Sequence, residues 1–196
     1  MADLQRFKNR AQAGRLLAKR LARYACRDGA HAPGAIVLAL PRGGVPVAYA
    51  AATALGLELD LLLVRKLGLP YQPEFAIGAV GSGGVQVLQP GVPGLMGVTQ
   101  EQVDAISARE LVELERRARL YRGGRPEPAL AQRQVIIVDD GIATGSTMEA
   151  AVKVARQRQA ARVIVAVPVG PPDTLERLAP RWTSWPACCR PCAFAR

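Results

Sequence analysis

A chain of 196 residues, 49% hydrophobic and carrying a formal net charge of +10 at pH 7, has room for one α/β domain with a sizeable core. No apolar run approaches the roughly eighteen residues needed to span a bilayer, and the opening MADLQRFKNR lacks the apolar centre of a signal peptide; a cytoplasmic protein without membrane contact is expected. The charge invites a nucleic-acid reading, but arginine supplies most of it, scattered along amphipathic segments rather than grouped with aromatics. Attraction for phosphate-rich small substrates accounts for that distribution, so nucleic acid is not the expected partner.

Taken in order, Phe7, Ala11, Leu17, Leu21 and Tyr24 recur at helical spacing and predict a helix over 7–27, with Gly29 as its stop. Ala35–Leu40 reads as a buried strand ending at Pro41-Arg42-Gly43-Gly44, and Val45–Leu55 as a small-residue helix lying close on a sheet. Leu59–Val64 reads as a second buried strand ending at Arg65-Lys66, residues 67–75 as loop, and Ala76–Val80 with Val85–Leu88 as a hairpin around Gly81-Ser82-Gly83-Gly84. A Gly/Pro-rich stretch over 89–98 leads to a long helix. Thr99 and Gln102 form a capping-box signature at its start, and Gly123-Gly124 closes it. Strand 135–138, a helix to about Gln159 and strand Val163–Val167 complete the series. Strands alternating with helices predict an α/β fold with a mostly parallel central sheet flanked by helices. One domain is expected over residues 1–178.

The richest stretch is Val135–Ala151, VIIVDDGIATGSTMEAA. An apolar strand ends in two carboxylates, Asp139 and Asp140, and a small-residue turn, Gly141 to Thr147, opens into a helix. Backbone N–H groups of such a turn, with a helix N-terminus behind them, suit an anion. Carboxylates beside it can accept hydrogen bonds from vicinal hydroxyls. Together they ask for a ribose 5-phosphate. At Pro41-Arg42-Gly43-Gly44 the glycines let backbone N–H groups approach an anion while Arg42 forks onto phosphate oxygens. Arg65 and Lys66 are two adjacent cations at an expected strand end. The single histidine, His31, sits in a Gly/Ala/Pro turn and reads as a solvated loop residue. The C-C-x-x-C of Cys188, Cys189 and Cys192 lacks the ligand set of a zinc site, and no protein-built metal site is expected.

The apolar run, acidic pair and T-G-S-T turn of 135–147 resemble the phosphoribosyl pyrophosphate (PRPP) motif of the type I phosphoribosyltransferases. Pro41–Gly44 resembles that family's pyrophosphate loop, and VRKLGLP at 64–70 the start of its mobile catalytic loop. The combination PRGGVPVA, VRKLG, AIGAV and VDDGIATG is similar to a group of bacterial phosphoribosyltransferase-like proteins. The resemblance implies a PRPP-binding fold with a small hood and a helical insertion at 99–122. It implies Mg²⁺ as cofactor, transfer of phosphoribose to a small nitrogenous acceptor, and release of pyrophosphate. Purine salvage is the implied setting and a homodimer the expected assembly. Asp139 and Asp140 would hold the ribose hydroxyls. Gly141, Ala143, Thr144, Gly145, Ser146 and Thr147 would cradle the 5-phosphate, and Arg42, Gly43, Gly44, Arg65 and Lys66 the pyrophosphate. Relatives acting on 6-oxopurines carry an acid at the position of Ala143. Adenine-specific relatives show alanine there and recruit an acid from the mobile loop, which makes Glu74 the candidate for proton transfer. A PRPP-sensing regulator that contacts RNA or DNA, and an inactive member, are the rival readings.

Residues 179–196 change character, holding both tryptophans and three of the four cysteines without helix or strand periodicity. Reading each codon's last base with the next codon's first two gives aspartate at Trp182-Thr183, alanine at Trp185-Pro186 and leucine at Cys188-Cys189. Suitable codon choices extend this to a strand-like L-D-E-L-A-C-L-L-P-P, as expected of a frameshift.

Overall fold

The computed structural model describes residues 7–26, 35–69, 71–72, 75–89 and 91–178. In chain order, α1 (Arg10–Arg20) and a 3₁₀ turn (Ala22–Tyr24) precede β1 (Ala35–Ala39), α2 (Gly44–Leu55), β2 (Glu58–Leu61), β3 (Val64–Gly68), β4 (Ala76–Gly81) and β5 (Val85–Leu88). The short α3 (Val92–Leu95) and long α4 (Gln100–Arg122) follow, then β6 (Gln134–Val138), α5 (Ser146–Gln157), β7 (Arg162–Ala166) and α6 (Pro172–Leu178).

The expected parallel sheet is present, four strands in the order β2-β1-β6-β7. Its central strands are continuous Val/Ile/Leu/Ala runs, buried on both faces as parallel sheets require. Ile36, Leu38, Val135, Ile137, Val163 and Val165 face α5 through Met148, Ala151, Val152 and Ala155. Val37, Ala39, Ile136, Val138 and Ile164 face the opposite layer, made of Val47, Ala48 and Ala51 from α2 and Leu17 and Leu21 from α1 and its end. Small residues set the depth of that layer. A Cβ on Gly14 would lie 2.8 Å from the Ala50 Cβ and press on the Val47 carbonyl, so glycine there lets α1 seat directly on α2.

A second sheet, β3-β4-β5, is antiparallel. It lies between two helices. Gly81 comes against Val154 of α5 on one side, and Leu67, Ile77 and Val80 meet Val103, Ile106 and Leu114 of α4 on the other. The long helix starts as its sequence demands. Thr99 Oγ1 accepts from the Gln102 N–H at 3.3 Å, Gln102 Oε1 accepts from the Thr99 N–H at 2.9 Å, and Gly123 ends the helix in the left-handed region at φ 57°.

Several boundaries differ from the sequence-based expectations. The first helix is Arg10–Arg20 followed by the 3₁₀ turn, shorter than 7–27, because Asn9 caps it through a bond from the Gln12 N–H at 2.9 Å. The run expected as one strand over Leu59–Val64 is two: β2 ends at Leu61, and the chain leaves the parallel sheet to begin β3 at Val64. Periodicity could not separate them, since Leu62 and Leu63 at the crossing are themselves buried. As a result β3 takes in residues assigned to a loop, and Arg65 and Lys66 lie inside a strand rather than past its end. Gly29, His31, Glu74 and the 179–196 segment lie outside the described residues.

Candidate functional site

In the parallel sheet, β1 leads to β2 through α2 on one side, while β6 leads to β7 through α5 on the other. The crossovers diverge between β1 and β6. At such a switch point the loops beyond the strands' carboxyl ends part and leave a crevice. The loops there are Leu40–Gly43 and Asp139–Gly145, the two glycine-bearing motifs. The Leu40 N–H donates to the Val138 carbonyl at 2.9 Å, carrying the β1–β6 pairing to the lip of the crevice.

Both helices that leave this lip begin on glycine without a capping side chain, α2 at Gly43 and α5 at Gly145, the latter in the left-handed region at φ 83°. By contrast, α1 and α4 are each capped by a side chain. Two N-terminal dipole ends are thus turned toward the crevice with no side-chain acceptor supplied, the electrostatic requirement for holding an anion. At the head of α5, Thr144 and Ser146 hydroxyls lie 3.1 Å apart, and Ala143, Thr144 and Thr147 are exposed.

The two loops meet through their acidic and glycine residues. A Cβ on Gly43 would fall 2.5 Å from the Asp140 carboxyl carbon, and one on Gly44 2.9 Å from Asp139 Cα. Only glycine permits this approach. Asp139 Oδ1 accepts from the Asp140 N–H at 2.8 Å. Burial, reinforced by the adjacent Asp140 charge and opposed by that N–H, pushes the Asp139 carboxyl up to about 7. The neighbouring carboxylate is met by a cation: Arg10 Nε and NH2 donate to Asp140 Oδ2 at 2.9 and 2.7 Å.

Arg42, Gly43, Gly44, Asp139, Asp140, Gly141, Ala143, Thr144, Gly145, Ser146 and Thr147 therefore gather at one crevice. Arg65 and Lys66 do not join them as a pair. Alternation along β3 sends them to opposite faces. Arg65 goes toward α4, where its NH2 and Nε lie 2.6 and 2.7 Å from Glu110 Oε2. Lys66 shares the face of Val64, which packs with the α5 cluster. A cavity of about 30 Å³ does bring Arg65 beside Pro41.

Sequence reasoning missed three contributors. Arg10 comes from the start of α1 and was one arginine among many; no spacing ties it to Asp140, 130 residues away. The loop after β7 contributes Val169, whose carbonyl accepts from the Ile142 N–H at 2.9 Å, and α6 contributes Thr174, whose hydroxyl donates to the Ala143 carbonyl at 3.1 Å. The Gly170-Pro171-Pro172 break at the end of the last apolar strand was the available signal.

Two clefts open from the crevice. One, of about 500 Å³, is lined by Arg10, Arg42, Gly43, Pro46 and Asp140. The other, of about 450 Å³, lies between the start of α1 and the Gly141 and Val169 turns. Among the described residues no group of three or more His, Cys, Asp or Glu side chains stands ready to hold a metal ion, and no helix is long and apolar enough to cross a membrane.

Comparison with known proteins agrees with this geometry. The family described as "Phosphoribosyl transferase domain" matches residues 2–185. Two Mycobacterium tuberculosis proteins, from strains H37Rv and CDC 1551, whose names assign them provisionally as phosphoribosyl transferases, are each 47% identical over 173 residues, 88% of this chain. The match spans 38% of the length of those relatives. The crystal structure of TT1426 from Thermus thermophilus superposes with a TM-score of 0.80 at 47% identity, covering 91% of this chain and 82% of that one.

Proposed function

The chain belongs to the phosphoribosyl transferase domain family, and we propose that it binds PRPP with Mg²⁺ and transfers phosphoribose to a nitrogenous acceptor of the nucleobase class, releasing pyrophosphate. The observation that carries this reading is the pair of uncapped helix N-termini flanking two adjacent carboxylates at the switch point. One helix end, with Ala143 to Thr147, takes the 5-phosphate. The other, with Arg42, Gly43 and Gly44, takes the pyrophosphate. Asp139 and Asp140 between them accept the ribose hydroxyls. A ligand held at both ends presents its anomeric carbon in a fixed place, and fixed donors meet charge as it grows on the leaving group.

The donor set fits Mg²⁺ bound chiefly through substrate. Asp139 and Asp140 offer hard carboxylate oxygens, too few for a protein cage and suited to an ion that keeps several waters. When bound, the ion neutralises pyrophosphate charge.

The test is pyrophosphate release from Mg·PRPP across purine and pyrimidine bases, with PRPP affinity titrated in parallel. Release with at least one base is expected, falling by about two orders of magnitude or more in Asp139→Asn/Asp140→Asn. Absence of PRPP binding by the native chain would overturn the reading.

A further inference from the structure

One face of α4 is committed to the antiparallel sheet through Val103, Ile106 and Leu114. A step of about 100° per residue sets Glu101, Ala105, Ala108, Val112, Arg116 and Arg119 in one line along the opposite face, and all six are exposed. Val112 is 68% exposed, and Leu120, which borders the line, is 67% exposed. Apolar side chains scattered singly over a surface need no account. A branched aliphatic residue that follows two alanines at helical spacing is a different case. The small side chains let a second helix approach closely enough for the larger one to pack.

The charges along this face identify the second helix. Exposed carboxylates, Glu101 and Asp104, stand at its start, and exposed guanidiniums, Arg116 and Arg119, stand toward its end. Consider a copy of α4 running antiparallel, with Ala108 opposite Val112 of the second copy. Glu101 then lies opposite Arg119 and Asp104 opposite Arg116, and a twofold axis repeats each pairing. Glu115 falls opposite Ala105 and meets no like charge. A single register thus joins small-to-large packing at the centre with opposite charges at both ends, whereas a parallel copy sets like charges together. Arg116 can turn outward without stranding its intrahelical partner, because Arg117 also donates to Glu113, at 2.7 Å. The 23 residues of α4 make the seam about 34 Å long.

We propose that the outer face of α4 is a self-association surface whose partner is a second copy of this chain, docked helix against antiparallel helix about a twofold axis between Ala108 and Val112. This surface is separate from the crevice. The crevice lies beyond the carboxyl ends of the parallel strands, whereas α4 covers the antiparallel sheet, so association does not depend on which ligand the crevice takes.

Sedimentation equilibrium of the native chain over about 1–300 μM is expected to show a monomer–dimer equilibrium. Val112→Arg places a cation at the centre of the seam. Glu101→Arg/Asp104→Arg and Arg116→Glu/Arg119→Glu each set like charges face to face at its ends. All three variants change exposed side chains and are expected to stay folded by circular dichroism while associating at least about tenfold more weakly. An equimolar mixture of the two charge-reversed chains is expected to restore association, since each reversed end then meets its opposite. Asp104→Arg mixed with Arg116→Glu repeats the exchange with one charge changed per chain, should a double reversal unfold. A native chain that stays monomeric throughout, a dimer indifferent to these substitutions, or mixtures no more associated than their components would overturn the proposal.

Discussion

At the scale of single residues, the adjacent carboxylates occupy unlike surroundings. Asp140 is met by the Arg10 guanidinium, while Asp139 is set back against Gly44 and raised to about 7 by burial first and the Asp140 charge second. For a carboxyl raised from 3.8, the folded state binds more protons than the unfolded state between the two values. Stability from this group is fully present below about pH 4 and is lost as pH rises through about 7. In Asp139→Asn that component disappears. The variant is expected to show a flatter dependence of melting temperature on pH between 4 and 8 and to exceed the native chain at pH 8. The gain is of order 1 kcal/mol once the solvent reaching this half-buried group is allowed for. Thermal melts without ligand across that range check it, and parallel curves for the two proteins would remove Asp139 as the source. Both carboxylates and the glycines facing them were legible in the sequence because their chemistry is local: an acidic pair after an apolar run and glycines in a turn. Arg10 was not, since its role depends on a contact made through folding.

At the scale of elements, the parallel sheet, hairpin and both ends of α4 were readable, because apolar runs, Gly-rich turns and a capping box each act over a few residues. What escaped was the change of sheet between β2 and β3, where a continuous buried run, Leu61-Leu62-Leu63-Val64, carries no breaker. That one misplacement turned Arg65 from a strand residue into a loop-borne clamp. In the fold its partner is Glu110, whose side chain is 11% exposed. Arg65 is therefore expected to serve the docking of α4 on β3. Arg65→Ala leaves a buried carboxylate short of its main donor and is expected to cost about 1–3 kcal/mol in urea unfolding. PRPP affinity is expected to change less than about threefold. A large loss of PRPP affinity with ribose 5-phosphate unaffected would return Arg65 to the pyrophosphate. A second tie closes the same helix. Arg122 pairs with Asp60 at 2.8 Å and donates to the Leu61 carbonyl at 2.7 Å, fastening the C-terminal end of α4 to the end of β2.

For the whole molecule, a net charge of +10 invites comparison with nucleic-acid binders, yet many arginines are engaged with neighbouring acids. Arg116 and Arg117 share Glu113, Arg133 meets Glu58, and Arg65 and Arg109 share Glu110. Any RNA or DNA retention is expected to be weak, lost as salt rises toward about 0.2 M, and indifferent to PRPP; filter binding with and without PRPP checks this. Retention that PRPP switches on would favour the regulatory alternative. The Arg10–Asp140 pair also bears on how the protein comes to exist. β1 must pair with β6, whose residues lie about a hundred positions later, and at roughly 5–20 residues per second of synthesis that is a wait of about 5–20 s. Through that interval the emerging α1, β1, α2 and β2 have an unpartnered apolar edge, and Asp140, the carboxylate that Arg10 holds, is not yet in place. The crevice is thus assembled late, only when the chain's second half returns to the first.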